Sequence, residues 1–254
     1  MSKITIIIAV YNGAKTLQRA IDSFANQDYI DKELIVIDGK STDGTVKVIR
    51  DNEGVIDYWV SEEDRGIHDA WNKGLSVMTG AWVIFLGADD TFSGCTVLSD
   101  FSIKQKYVES KLIYGQVQMK SEAWIDLSLE GEEWGAIKKI FMTSENKIPH
   151  QGLFHHESLF SKYGGFNTKL DIAGDYDFLV RCVRGGVLPV FISGLVVANM
   201  QCGGVSNEHS MRLATYLEFG VVRRNAGWKV YSLDYIFILI KGYLRKKKAE
   251  LNIL

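Results

Sequence analysis

The chain has few of the residues that build disulfide frameworks, thiolate metal sites or structureless linkers. Its three cysteines, Cys95, Cys182 and Cys202, lie far apart, and no Cys-x-x-Cys spacing occurs. A scattered, odd set of this kind argues against a disulfide scaffold or a zinc site and predicts reduced thiols in a cytoplasmic protein. Only two prolines occur, Pro149 and Pro189, and no low-complexity linker divides the chain.

Charge of one sign and long apolar runs are equally scarce. The formal net charge is −2 at pH 7, which argues against a nucleic-acid-binding protein because such proteins carry a positive excess. The first apolar run, Ile4–Val10, is too short for a signal-peptide core with its cleavage site, and Tyr11-Asn12-Gly13 ends it as a turn ends a strand. We therefore expect a globular protein with no nucleic-acid partner.

Neither of the two common glycine-rich nucleotide loops is present. Gly39-Lys40-Ser41 resembles the end of a phosphate-binding loop, but that motif needs a glycine five residues earlier, where Leu34 stands. No Gly-x-Gly-x-x-Gly follows a predicted strand. If the protein binds a nucleotide, other residues must hold it.

Strand and helix patterns alternate in the first half of the chain. Short apolar runs bounded by turn residues predict buried strands, and apolar residues at helical spacing lie between them. This alternation predicts an α/β fold with a mostly parallel central sheet flanked by helices. The predicted strands are 4–10, 34–37, 58–60, 82–86, 112–117 and 187–191, a helix is predicted at 175–184, and the segment 120–147 has no clear period.

Acidic residues stand where predicted strands end. Asp38 closes one strand, Asp64 follows another, and Asp89-Asp90 follows a third. In a parallel sheet these ends meet at one edge, where carboxylates without a counter-charge are costly to desolvate. Oxygen ligands of this kind suit Mg²⁺ or Mn²⁺, which bind one or two carboxylates together with substrate phosphates. The alternative for each acidic residue taken alone is a solvated turn.

Five sequence blocks in order resemble those of family 2 glycosyltransferases with the GT-A fold. The resemblance covers roughly residues 3–210 and implies one glycosyltransferase domain at 1–230, with a nucleotide-sugar and metal half at 1–118 and an acceptor half at 119–230. A basic tail at 231–254 lies outside it. The blocks are 6–13 (IIIAVYNG), 34–45 (LIVIDGKSTDGT), 61–74 (SEEDRGIHDAWNKG), 85–90 (FLGADD), and 174–177 (GDYD) with Arg181, which 149–151 (PHQ) precedes.

The resemblance implies a nucleotide-diphosphate sugar donor, with a UDP-sugar as the first expectation, and a divalent metal, Mn²⁺ or Mg²⁺. Asp89 corresponds to the second carboxylate of the family's Asp-x-Asp, which usually contacts the metal, while Gly87 stands at the first position. This departure leaves Asp90 or water to complete the metal site. The donor-binding residues implied by position are Ala9, Tyr11 and Asp38 around the base, Asp64 near the base or ribose, and Asp89.

The resemblance also implies inversion at the anomeric carbon, with Asp175 as the catalytic base. The acidic residue often found before that base is Gly174 here. Asp177 is the rival base, although two residues further along a helix it would face elsewhere. His150 and Gln151 correspond to an acceptor-side block, but a hydrogen-bonded structural histidine is an equal alternative for His150.

The C-terminal tail combines an apolar run at 236–240 with five basic residues between 241 and 248. The run is too short to span a bilayer, and basic residues beside an apolar helical face suit an anionic membrane surface. We therefore expect peripheral contact with the cytoplasmic face of a membrane. The alternative is a C-terminal helix that packs on the body of the protein.

Together these features predict an inverting glycosyltransferase that adds a sugar to a hydroxyl group of a glycan or lipid-linked acceptor in surface polysaccharide synthesis. Two alternatives remain open from the sequence. One is a degenerate sugar-nucleotide-binding module without transfer activity, for which Gly87 and Gly174 would be signs of decay. The other is a nucleotidyltransferase, which also uses metal-bound carboxylates but usually has a glycine-rich and basic nucleotide loop.

Overall fold

A computed structural model describes residues 2–202 and 211–229, together with Ile236 and Ile240. Helices flank one central sheet, as the alternating pattern predicts. Short 3-10 turns occur at Gln105–Tyr107 and His150–Gly152. The elements are β1 (Ile4–Val10), α1 (Leu17–Ala25), β2 (Lys32–Asp38), α2 (Thr45–Asp51), β3 (Tyr58–Ser61), α3 (Ile67–Val77), β4 (Trp82–Gly87), β5 (Thr91–Phe92), α4 (Val97–Lys104), β6 (Leu112–Lys120), β7 (Asp126–Glu130), α5 (Trp134–Thr143), β8 (Leu153–His156), α6 (Ser158–Tyr163), α7 (Gly174–Arg184), β9 (Val190–Gln201) and α8 (Met211–Asn225).

The strands follow the order β3-β2-β1-β4-β8-β6-β9-β5, and β7 pairs with β6. The first four strands in this order are parallel, as predicted, so their carboxyl ends share one edge. β8 then inserts antiparallel between β4 and β6, whereas β6 and β9 are parallel. The sheet is therefore parallel through the first half of the chain and mixed in the second.

Apolar side chains cover both faces of the parallel strands. On β1, Ile6 and Ile8 point into one core cluster, whereas Ile7 points into the other. A strand buried on both faces needs an almost continuous apolar run, because alternate residues enter opposite cores. This explains why β1 and β4 can be recognised so readily from the sequence.

The second half contains elements that the sequence pattern did not reveal. Every residue of β7 is exposed, so this strand shows no alternation of buried and exposed positions. Helix α5 buries only Trp134, Ile137 and Phe141 against the core. The strand predicted at 187–191 begins later, at Val190, and runs to Gln201.

Most of the tail at 231–254 lies outside the described residues. Ile236 and Ile240 are both exposed. In the part of the chain that the structure describes, no helix is long and apolar enough to cross a membrane.

Candidate active site

The ends of β1, β2, β3 and β4 form the edge at which the predicted donor residues gather. Val10 is in register with Asp38, and Asp38 is in register with Ser61. Ala9 pairs with Gly87 on the other side of β1. The parallel register therefore brings the ends of all four strands to one line, which is where open α/β sheets bind their ligands.

Asp38 lies at the centre of this edge and is fully buried. Its Oδ2 accepts hydrogen bonds from the Ser41 amide at 3.1 Å and from the Ser61 hydroxyl at 2.5 Å, and its Oδ1 accepts one from the Ser41 hydroxyl. These bonds compensate for the burial of the carboxylate. They also join the loop after β2 to the end of β3.

Tyr11 and Asp64 meet over Gly39, the residue that follows Asp38. A Cβ atom on Gly39 would lie 2.7 Å from Asp64 Oδ2 and 3.5 Å from Tyr11 Cδ2. Because Gly39 has no side chain, the Tyr11 ring and the Asp64 carboxylate can both lie against its backbone. Because Tyr11 is 69% exposed, its ring is available to a ligand at this edge.

Two further hydrogen bonds hold the loop after β1 against the loop after β2. The amide of Asn12 donates to the Ser41 hydroxyl at 2.7 Å, and the Asn12 side chain accepts from the Thr42 amide at 2.9 Å. Asn12 adopts a left-handed backbone with φ of 51°, which asparagine tolerates better than most residues. Tyr11 and Gly39 are therefore held by a connected pair of loops.

The carboxylates of Asp89 and Asp90 turn back over Gly87 at the end of β4. A Cβ atom on Gly87 would lie 2.4 Å from Asp90 Oδ2 and 2.9 Å from Asp89 Oδ1. The position where the family's first acidic residue usually stands therefore has no room for a side chain in this arrangement. Asp89 is partly exposed, whereas Asp90 is buried.

Asp90 is held by residues from distant parts of the chain. Its Oδ1 accepts a hydrogen bond from the Gln201 amide at 3.0 Å, and the Gln151 side chain also donates to it. Burial and the charge of Asp89 nevertheless raise the pKa of Asp90 to about 7. The positive charge of Arg19 opposes this rise only in part, and a bound cation would favour the charged form of Asp90 further.

The guanidinium group of Arg19 binds the backbone of the turn that contains Asp89 and Asp90. It donates to the Asp89 carbonyl oxygen and to Gln201 Oε1, both at 2.9 Å, and packs 3.7 Å over the Trp124 ring. The planar, multidentate group is suited to such a bridge. Arg19 thus fixes the backbone from which the Asp89 carboxylate projects.

The residues at the end of β4 fit a divalent metal only as part of a shared site. Among the described residues, no group of three or more histidine, cysteine, aspartate or glutamate side chains could hold a metal ion. Asp89 and Asp90 offer one or two carboxylates, which is the protein share typical of Mg²⁺ sites completed by substrate phosphates. Asp89 is the better candidate ligand because Asp90 already accepts two hydrogen bonds.

The 3-10 turn His150–Gly152 lies between the end of β4 and helix α7. Gln151 reaches Asp90, whereas His150 is close enough to Asp175 for that carboxylate to favour its charged form. Burial outweighs this attraction and lowers the pKa of His150 to about 3. The imidazole is therefore neutral at physiological pH, and among the described residues neither ring nitrogen has a hydrogen-bond partner.

The His150 ring packs among aromatic side chains from the donor half. Its centroid lies 4.5 Å from that of Trp71 on α3 and 5.3 Å from that of Phe85 on β4. These contacts place the predicted acceptor-side block directly against α3 and β4. The alternative of a hydrogen-bonded structural histidine does not describe this ring, which is held by packing.

Asp175 lies in the first turn of α7 and is partly exposed. Its Oδ2 accepts a hydrogen bond from the Asn146 side chain at 3.4 Å, and its Oδ1 accepts from the Tyr176 amide at 2.7 Å. Hydrogen bonds therefore orient this carboxylate, and it forms no ion pair with any residue that the structure describes.

Asp177 has a different environment on the same helix. Its Oδ2 accepts a hydrogen bond from Arg181 Nε at 2.9 Å. Arg181 also donates to the carbonyl oxygens of Tyr163 and Gly165. Asp177 therefore belongs to a structural ion pair, which leaves Asp175 as the freer of the two candidate bases.

His68 takes the volume beside Gly174 that an acidic side chain would need. A Cβ atom on Gly174 would lie 2.6 Å from the His68 ring. His68 is buried, and its Nδ1 is 2.8 Å from the Leu170 carbonyl oxygen. The glycine before Asp175 is therefore matched to a histidine from the donor half.

Four residues around these groups have no role in the sequence prediction. His68 lies inside the block at 61–74, so its place in that block was the signal that could have drawn attention to it. Arg19, Asn146 and Gln201 lie in no recognised block, and only the fold brings them to the carboxylates.

Known proteins share both the sequence and the fold of this chain. A family profile described as Glycosyl transferase family 2 matches residues 5–98, which include the donor loops and Asp89-Asp90. A PGL/p-HBAD biosynthesis glycosyltransferase of Mycobacterium bovis is 32% identical over 96% of this chain and 98% of its own length. An uncharacterized glycosyltransferase of Mycobacterium tuberculosis is 33% identical over 70% of this chain and 68% of its own length.

Two solved structures share the fold at low sequence identity. S. aureus TarS 1-349 in complex with UDP-GlcNAc has a TM-score of 0.68 and 17% identity over 96% of this chain and 72% of that one. Mannosyltransferase PcManGT from Pyrobaculum calidifontis, in complex with GDP-Man and Mn²⁺, has a TM-score of 0.70 and 17% identity over 98% of this chain and 75% of that one. Full-length similarity to a glycosyltransferase, the matching family profile and the shared GT-A fold together show that this chain belongs to glycosyltransferase family 2.

Proposed function

We propose that this glycosyltransferase transfers a sugar, with inversion, from a nucleotide-diphosphate donor to a hydroxyl group of a glycan or lipid-linked acceptor in surface polysaccharide synthesis. The observation that carries the proposal is the turn His150–Gly152. Its consecutive residues reach Asp90 on the donor side and approach Asp175 on the other. One turn therefore joins the candidate metal and diphosphate edge to the candidate base.

The donor nucleotide would lie along the loops after β1 and β2. Tyr11 offers an exposed ring for stacking, and Asp64 offers acceptor oxygens for base or ribose groups beside Gly39. Ala9 and Asp38 would form the floor of this nucleotide site, and they hold the two loops in register. The solved relatives contain UDP, UDP-GlcNAc or GDP-Man, and we take a UDP-sugar as the first donor to test.

Asp89, with Asp90 behind it, would hold Mn²⁺ or Mg²⁺ against the donor diphosphate. When bound, such an ion acts as a Lewis acid that stabilises the negative charge of the leaving diphosphate. The chain itself contributes the orientation of Asp89, which Arg19 fixes through the Asp89 carbonyl oxygen. PcManGT, which shares the fold, was solved with Mn²⁺.

Asp175 would accept the proton of the acceptor hydroxyl. An inverting transfer is a single in-line displacement, so it needs one carboxylate within hydrogen-bond reach of the nucleophile and no covalent intermediate. Asn146 orients the Asp175 carboxylate in the first turn of α7. The neutral ring of His150 and the amide of Gln151 would shape the acceptor side.

A lipid-linked acceptor would account for the basic tail. Through the tail the enzyme would contact the cytoplasmic face of the membrane, where such an acceptor is found. The Mycobacterium bovis relative is named as a glycosyltransferase of PGL/p-HBAD biosynthesis, which supports a sugar transfer in a biosynthetic role. The relatives are glycosyltransferases, so a nucleotidyltransferase is not favoured. A degenerate binding module would bind the donor without transferring the sugar.

Metal removal gives the most direct test of this function. With a UDP-, GDP- or dTDP-sugar panel, EDTA should abolish transfer or donor hydrolysis, and Mn²⁺ or Mg²⁺ should restore it. Asp89→Ala should lose activity while its circular dichroism spectrum stays unchanged, and the exposed Glu53→Ala serves as the matched control. Full activity of the wild-type protein in EDTA would contradict the metal assignment. Donor binding without any turnover would instead identify a binding module.

A further inference from the structure

The loop immediately before Asp175 is bound by a carboxylate from another helix. Glu218 lies on α8, and its oxygens accept hydrogen bonds from three consecutive backbone amides. The donors are the amides of Asp171 at 3.0 Å, Ile172 at 3.0 Å and Ala173 at 2.8 Å.

This contact fixes the loop that leads into α7. The residue before α7 is Ala173, and no side-chain capping bond forms there. The three amides that Glu218 binds precede the helix, so Glu218 holds the approach to α7 and does not cap its first turn. Charge-assisted bonds to backbone amides are stronger than neutral ones. The ring of Phe219 packs 4.6 Å from that of Tyr176 and joins the two helices beside this contact.

The same helix also holds the segment that reaches Asp175 from the other side. Arg223 on α8 donates to the Ser144 carbonyl oxygen at 2.5 Å, and Tyr216 donates to Glu145 at 3.2 Å. These contacts fall immediately before Asn146, whose side chain contacts the Asp175 carboxylate. Helix α8 therefore anchors both segments that orient Asp175.

Contacts from the donor half fix the two ends of the same loop. His68 Nδ1 bonds to the Leu170 carbonyl oxygen, and the His68 ring packs against Gly174. Between these points, only the contact with Glu218 ties the three amides of the loop in the part of the chain described above. Its loss would loosen residues 171–173, which lead into α7, while the donor loops would keep their own hydrogen bonds.

We propose that Glu218 is a positioning residue that holds the start of α7, and with it the Asp175 carboxylate, in line for proton transfer. Glu218 bonds to backbone amides, so it acts through Asp175 and does not itself exchange protons with the substrate. The proposal rests on the proposed role of Asp175 as base. It assigns to α8 a part in catalysis that none of the recognised sequence blocks contains.

Kinetics of Glu218→Ala and Glu218→Gln test the proposal. Displacing a catalytic group by about 1 Å costs up to a hundredfold in rate, so Glu218→Ala should lower kcat by roughly 10- to 100-fold with the KM and Kd for the donor unchanged. Glu218→Gln keeps one acceptor oxygen, which can still bind the Ile172 and Ala173 amides but not that of Asp171, and it should recover part of that loss. Leu217→Ala, an exposed neighbour on the same helix, should behave as wild type.

Hydrogen exchange supplies a readout that does not require sugar transfer. The amides of residues 171–173 should exchange faster in Glu218→Ala, whereas those of β1 and β2 should not change. If the wild-type protein transfers no sugar, the proposed function fails, while this exchange result still reports on the contact between Glu218 and residues 171–173. If wild type is active and Glu218→Ala keeps its kcat, or loses donor affinity in step with kcat, the positioning role is overturned.

Discussion

At the scale of single residues, three glycines make the candidate site possible. At Gly39, Gly87 and Gly174, the volume of a missing Cβ is taken by a side chain from elsewhere: Asp64, Asp90 and His68 respectively. In the sequence alone, Gly87 and Gly174 stand where the family pattern usually has an acidic residue, so they look like losses of function. In the structure the space beside each of these glycines is filled by a neighbouring side chain, so neither position leaves a cavity where the acidic side chain would stand.

Gly39→Ala tests this matching on the donor side. The new methyl group would meet Asp64 Oδ2, the end of a flexible side chain, and push it away from Tyr11. Donor affinity should fall by up to about tenfold, the equivalent of roughly one hydrogen bond, and thermal stability should change little. Gly54→Ala is the control, because nothing lies within 4 Å of its added Cβ. Equal donor affinity of the two variants by calorimetry would remove Gly39 from the donor site.

At the scale of elements, the sequence predicts the strands and helices whose buried positions are marked by apolar residues. β1 and β4 are buried on both faces, and α7 begins one residue before its predicted start. β7 is exposed throughout, so no pattern marks it. The contacts of Glu218, Gln151 and Asn146 join segments far apart in the chain, and local sequence contains no trace of them.

The start of β2 illustrates an element held by one buried acid. Glu33 accepts hydrogen bonds from Thr5, from the amide and hydroxyl of Thr79 at 2.6 Å each, and from the Gly80 amide at 3.0 Å. Burial opposes ionisation of Glu33, but these hydrogen bonds outweigh it and lower its pKa. The charged form is therefore favoured by folding, at the edge of the sheet opposite to the candidate site.

Glu33→Gln should lower the free energy of unfolding at neutral pH by about 2 kcal/mol, since hydrogen bonds to charged groups contribute on this scale. Because the folded pKa lies below the unfolded value of about 4.3, the contribution of Glu33 is present above that pH and is lost as the pH falls through the folded pKa. Urea titrations at pH 7 and pH 3 should therefore show a difference between wild type and variant that shrinks in acid. A difference that stays constant or grows in acid would refute this explanation.

At the scale of the whole molecule, one continuous sheet contains strands from both parts of the chain. β8 follows directly from the turn His150–Gly152 and pairs with β4, the strand that leads to Asp89-Asp90. The alternation in the sequence predicts the parallel strands of the first part. The antiparallel insertion of β8 could not be predicted, because nothing in a four-residue strand specifies its partner.

The tail prediction also belongs to the whole molecule. Removal of residues 235–254 should weaken binding to anionic liposomes, because each basic residue near such a surface contributes about 1 kcal/mol, and should leave donor affinity unchanged. Neutral liposomes are the control for the electrostatic share. If the truncated and full-length proteins bind anionic liposomes equally well, the tail has no role in membrane contact.

The central claim is that Asp175, oriented at the start of α7 beside the turn His150–Gly152, is the base of a sugar-transfer site. The measurement that tests it most directly compares kcat and donor Kd for Asp175→Asn and Asp177→Asn. Asparagine keeps the shape but cannot accept the proton, so Asp175→Asn should lower kcat by roughly a hundredfold or more with donor Kd unchanged. Asp177→Asn should be much milder, since Asp177 is paired with Arg181. An active Asp175→Asn beside an inactive but folded Asp177→Asn would contradict the account.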